Sequence, residues 1–271
     1  MTSAQIKNAF NSIGEVDAGL APANLVLKIT FSNDALRYFV VSRTHQQVIF
    51  FGNYTLHNIN NTAELVQRIE KIFERDEILQ LPFAKVLLGI NTNYTLVPDE
   101  FSFMINRLEH LTNPVGKSEI VFECAPQLLT VFTKQYPACE VLHINTQLVH
   151  LLPSYNVDNT PRLFINVGPD YLDILFFEPN GQIKLMNRYT YEAATDFIYF
   201  VLLCCEELGI NRETTELLLL GEVDIQSKIY DLCFRYFRNI GFIQKPDYVN
   251  FTKAFDIFPK HLHYNLYNLN P

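Results

Sequence analysis

Tryptophan is absent from the 271 residues, and glycine, at ten, is scarce. So few glycines leave no glycine-rich phosphate cradle, and Walker A, G-x-S-x-G and H-E-x-x-H patterns are all missing. No two cysteines are spaced C-x-x-C. Cys204 and Cys205 are adjacent, while Cys124, Cys139 and Cys233 are scattered, which is the pattern of reduced, buried thiols. Long hydrophobic runs are missing too. The most apolar stretch, 197–205, falls well short of the roughly 20 residues that cross a bilayer. Residues 1–19 carry Glu15 and Asp17 and no apolar core of a signal peptide. Basic residues are outnumbered, 21 Lys and Arg against 29 Asp and Glu, and a net charge of −8 argues against nucleic acid as a partner. The expectation is a cytoplasmic protein, in which the N-x-T triplets at Asn53, Asn60, Asn93 and Asn250 carry no sugar.

What is present is an ordinary globular composition, 48% hydrophobic and 18% charged, with 22 Phe and 14 Tyr. Alternating and β-branched runs predict strands at 25–31, 36–41 and 48–51. Asn61 or Thr62 can cap a helix over 63–80 whose stripe is Leu65, Ile69, Ile72 and Phe73, with Pro82 as its stop. A buried strand follows at 84–90. Residues 115–152 read as strand (119–123), helix (126–135), strand (140–144) and short helix (147–152).

The same order then returns. Strands are expected at 162–167, 171–177 and 182–189, the last two joined at the Asn180-Gly181 turn signal. A helix over 193–208, apolar almost all round, stops at Gly209, a buried strand spans 215–220, and a second helix spans 226–240. The repeat covers about half the chain, so it means two similar lobes with a crevice between them, where ligands tend to bind.

This duplicated β-β-β-α-β-α unit resembles the actin, sugar kinase and Hsp70 superfamily. In detail the chain resembles a bacterial family of unknown function with an actin-like ATPase fold, similar in shape to actin-like pilus-assembly and cell-division proteins. The match in element order runs from about 24 to 241 and includes Asn93-Tyr94-Thr95-Leu96-Val97-Pro98. The resemblance implies an α/β, two-lobed actin-like ATPase (ribonuclease H-like) fold. It divides the chain into an extension (1–23), a first lobe (24–153) and a second lobe (154–271), with the aromatic tail 248–267 packed on the second.

The superfamily's phosphate loops read Asp-x-Gly-Ser/Thr. Here the first is Lys28-Ile29-Thr30-Phe31-Ser32, with Lys in place of the acid and Thr-Phe in place of glycine. The second is Asn166-Val167-Gly168-Pro169-Asp170, where glycine survives but Asn replaces Asp and proline removes a donor. The Gly-Gly adenosine motif is reduced to Gly221-Glu222. The resemblance thus implies a non-catalytic scaffold or interaction protein with no cofactor and a protein partner. The alternative is an enzyme or switch that binds ATP with Mg²⁺ through Gly168 and Gly221, Asp170 taking the lost metal role. A third option is a sensor of some other small molecule in the same crevice. Two further groups carry weaker expectations. His261 and His263, on one face of a strand, make half a metal site at most, and Asp170, Asp173 and Glu178 could form a carboxylate cluster.

Overall fold

Two sheets with one strand order account for the repeat. The computed structural model describes residues 10–17, 21–32, 34–56, 59–105, 110–155, 160–178 and 180–270. In the first half, β1 (Phe10–Gly14), β2 (Leu25–Phe31), β3 (Ala35–Ser42) and β4 (Gln47–Thr55) are followed by α1 (Thr62–Arg75) and β5 (Lys85–Ile90). A three-stranded sheet of β6 (Tyr94–Pro98), β7 (Leu111–Val115) and β8 (Ser118–Phe122) is inserted before α2 (Pro126–Gln135), β9 (Glu140–His143) and α3 (Thr146–Leu151). The second half runs β10 (Arg162–Val167), β11 (Tyr171–Phe177), β12 (Ile183–Thr190), α4 (Ala194–Leu208), β13 (Glu216–Gly221), α5 (Lys228–Tyr236) and β14 (Asn239–Phe242). Then come β15 (Asn250–Phe251) and α6 (Tyr264–Tyr267).

The order β4-β3-β2-β5-β9 in one sheet matches β12-β11-β10-β13-β14 in the other. In each, an antiparallel meander is extended by two parallel strands reached through a helix, the connection that parallel pairing requires. The chain therefore has the two-sheet, actin-like α/β fold. Among the described residues no helix is long and apolar enough to cross a membrane.

Local chemistry explains most element boundaries. Asn61 caps α1 by accepting the Glu64 N–H at 3.0 Å, and the expected stripe of Leu65, Ile69, Ile72 and Phe73 is buried. The helix ends at Arg75, five residues before the expected stop. Asp76 ends it by accepting the hydroxyls of Tyr38 (2.6 Å) and Tyr54 (2.8 Å) and the N–H groups of Ile78 and Leu79. The helix expected over 226–240 is shorter still. Ser227 caps α5, which stops at Tyr236, and Asn239 to Phe242 pair with β13 instead. Parallel pairing beside a buried strand outweighs helix continuation there, because Asn239 and Gly241 are poor helix formers.

The chain ends also depart from expectation. Residues 10–14, read as part of a polar extension, form an antiparallel strand on β4. The tail leaves the second sheet and pairs β15 with β4 of the first. Its Phe255 is fully buried, with ring centroids 6.4 Å from Phe39, 5.4 Å from Phe251 and 5.7 Å from Phe258. All five cysteines are free, and Cys204, Cys205 and Cys233 are buried among apolar side chains.

Because Phe255 belongs to the core of the first sheet, Phe255→Ala is expected to lower stability by about 3–5 kcal/mol. Urea denaturation measures this; an unchanged midpoint would mean that the tail does not pack there.

Candidate functional site

Residues following β5, β9 and β13 make contacts between the two sheets: Asn91 with Tyr171, Asn145 with Asp173 and Glu222 with Arg37, at the strand ends where open α/β sheets bind ligands. At the centre of these contacts is an ion pair. Asp173 on β11 and Arg188 on β12 stand opposite each other in register, with Arg188 Nε 2.7 Å from one carboxylate oxygen and Nη2 2.9 Å from the other. Their side chains are 0% and 7% exposed. A charge buried so deeply needs every lone pair and N–H occupied, and here the partners come from both halves. Asn166 and Asn145 donate to Asp173 at 2.9 and 2.6 Å, and Arg188 Nη1 donates to the Thr92 carbonyl at 2.9 Å. The guanidinium lies 3.8 Å from the ring centre of Tyr171, whose hydroxyl accepts the Asn91 amide at 2.9 Å. Asn265 of the tail completes the set by donating to Asn145. Burial pushes the Asp173 carboxyl up, but Arg188 and the asparagine donors outweigh it and hold it below the usual range.

His143 adjoins this centre, fully buried. Its Nδ1 accepts the Asn145 N–H, so Nε2 carries the proton toward the Thr92 carbonyl at 3.1 Å. Burial holds it down to about 4, and the tail residue His263, stacked on Phe51, down to about 3.

Both glycines singled out in the sequence are packed against protein atoms. A Cβ on Gly168 would overlap the Tyr171 ring, and the Gly168 carbonyl accepts the Tyr191 hydroxyl at 2.7 Å. Gly221 has φ +87°, a Cβ there would overlap the Val167 carbonyl oxygen, and its N–H donates to the His261 carbonyl at 2.9 Å. Both glycines permit close approach, and what approaches is the protein's own chain. Glu222 crosses to the first half, 3.0 Å from Arg37 on β3, which also pairs with Asp34 at 2.9 Å. Lys28 donates to the Tyr267 carbonyl at 2.8 Å, and burial together with Lys85 holds it down to about 8.

Asp170 lies apart from Asp173, exposed at the turn, so the carboxylate cluster with Asp173 does not form. It lines a groove with Thr190, Tyr191, Glu192, Asp196, Tyr199 and Phe200. The histidine pair is not on a strand. His261 lies in a turn with its ring centre 4.2 Å from Phe242, His263 is half-buried against Phe51, and no group of three His, Cys, Asp or Glu among the described residues could hold a metal. Arg188 went unnoticed in the sequence, yet a signal existed. An acid in the middle of an apolar strand must find a cation, and a two-residue turn at Asn180-Gly181 places 188 opposite 173. The observed hairpin reaches that register through a bulge at Phe176/Phe177.

Residues 21–240 match the family described as Protein of unknown function (DUF3822). No curated protein matches the chain. Among solved structures, it is similar to a Bacteroides thetaiotaomicron protein with actin-like ATPase fold and unknown function, at a TM-score of 0.71 and 18% identity over 82% of this chain and 91% of that one. A chain of a PilM-PilN type IV pilus biogenesis complex gives a TM-score of 0.56 and 12% identity over 91% and 99%. Identities this low establish a common fold and nothing finer.

Two outcomes are expected from the centre. Arg188→Met strands the buried Asp173 charge and should lower stability by about 3–5 kcal/mol in urea denaturation, whereas Arg188→Met with Asp173→Leu recovers much of that loss. A single variant no worse than a surface ion-pair variant would mean that the pair is hydrated. The histidines set a pH window. His143 and His263 bind protons in the unfolded chain below pH 6.5 but stay neutral in the fold until about 4 and about 3. Stability should therefore fall as pH drops from 6.5 toward 4, by about 1.4 kcal/mol per pH unit for each histidine. Asp173 adds its own loss only below 3.8, as pH falls through its depressed folded value. A flat profile between 6.5 and 4 would show that these rings are hydrated.

Proposed function

Since the chain belongs to this family of unknown function and has its actin-like ATPase fold, we propose that it is a non-catalytic scaffold or protein-interaction module of the cytoplasm, with a crevice closed by its own side chains. The observation that carries this is the Arg37–Glu222 pair, which ties the first half to the loop at Gly221. Gly168 and Gly221 serve as turn glycines on this reading, with Tyr171 and the Val167 carbonyl in the space a phosphate would need. On this reading no cradle for Mg²⁺-ATP is left, since Asp170 lines a groove with Glu192 and Asp196 that neither Gly168 nor Gly221 lines. A scaffold needs contact surface, and Phe103 at 77%, Phe234 at 64% and Tyr199 at 60% exposure supply large apolar side chains outside the crevice. The PilM-PilN complex offers a precedent for this fold within a protein assembly.

Calorimetric titration of ATP with Mg²⁺, beside a phosphate-release assay, tests the reading. No heat up to millimolar ATP and no phosphate release are expected. Saturable micromolar binding would replace the scaffold with an ATP-binding enzyme or switch acting through Gly168, Asp170 and Gly221.

A further inference from the structure

Charged contacts close the crevice at two depths. In the deep one, Asp173 and Arg188 are sealed from water among Asn145, Asn166, Tyr171 and the Thr92 carbonyl. At the mouth, Arg37 is 13% exposed and Glu222 is 32% exposed. The outer contact is partly open to water, so added salt weakens it more than it weakens the sealed one.

The mouth contact has an unusual division of labour. One nitrogen, Arg37 Nη2, meets both Glu222 Oε1 at 3.0 Å and Asp34 Oδ2 at 2.9 Å. Asp34 sits three residues away in the same half, and Ser32 donates to it as well. If Glu222 withdraws, Arg37 keeps a carboxylate and Glu222 turns to water, so neither charge is stranded in a low dielectric. Opening at the mouth is therefore inexpensive, unlike opening at the centre.

Glu222 also does not move alone. Its N–H is bonded to the Val167 carbonyl at 2.7 Å, and the Gly221 N–H holds the His261 carbonyl. The His261 ring stacks on Phe242 and its Nε2 lies 2.8 Å from the Val223 carbonyl. The loop 221–223 and His261 thus form one unit attached to the second sheet. Two residues on, His263 stacks on Phe51 of the first sheet, with φ +52°. The tail thus touches the second sheet at His261 between first-sheet contacts at Phe258 and His263.

We infer that Arg37 and Glu222 form a salt-sensitive latch at the crevice mouth, whose opening frees the loop 221–223 from Arg37 while the Asp173–Arg188 centre stays closed. The inference rests on the closed-crevice reading above. The test is hydrogen–deuterium exchange on the full chain, wild type and Glu222→Gln, at low and high salt. Amides of 220–224 should exchange roughly fivefold faster in Glu222→Gln, the factor that corresponds to about 1 kcal/mol. High salt should bring the wild type toward the variant, an arm that stands even if the variant folds poorly. Amides of β11 and β12 should not change in either arm. Exchange unaltered at 220–224, or raised equally in β11 and β12, would overturn the latch. The Mg²⁺-ATP titration on wild type judges the closed-crevice reading separately, so either can fail while the other stands.

Discussion

The buried pair of Asp173 and Arg188 is the contact on which the arrangement of the two halves depends. Both residues belong to the second sheet, yet they are satisfied only with Asn145 and the Thr92 carbonyl of the first. Removing that support would leave a carboxylate with too few donors in a site without water, so each half completes the other's hydrogen bonding. Buried ion pairs contribute little net stability over apolar packing, but they penalise misplacement heavily. That makes this one a device for alignment, and α6 with Asn265 braces it from the tail side.

Around that centre, further residues between the sheets bond to the protein's own chain. Lys28 holds the tail, Glu222 holds Arg37, Tyr171 covers Gly168, and His261 takes the Gly221 amide. The apolar side chains left exposed, such as Phe103 and Phe234, lie on the outer surface.

The duplication was legible because it rests on local periodicity. Apolar alternation over 25–31 and 162–167, and the helical stripe of Leu65, Ile69, Ile72 and Phe73, are properties of neighbouring residues. The fifth strand of the second sheet was not legible. Residues 239–242 continue the apolar spacing of α5, and only β13 alongside makes them a strand. The strand at 10–14 was hidden for the same reason, since β4 supplies the pairing that its polar sequence does not advertise. Asp173 stood out in principle as an acid within an apolar run, but its four donors are scattered from 145 to 188 along the chain.

The sequence by itself determined the two repeated units, the lack of a glycine cradle and the scarcity of positive charge, because composition and short-range pattern carry that information. Tertiary structure alone decided that the tail returns to the first sheet, that both histidines of 261–263 are tucked against aromatic rings, and that Glu222 answers Arg37 across the crevice. Apart from the His261–Phe242 stack, these contacts join residues more than a hundred positions apart, whose meeting is set by how the two sheets close on each other. No local pattern encodes that closure.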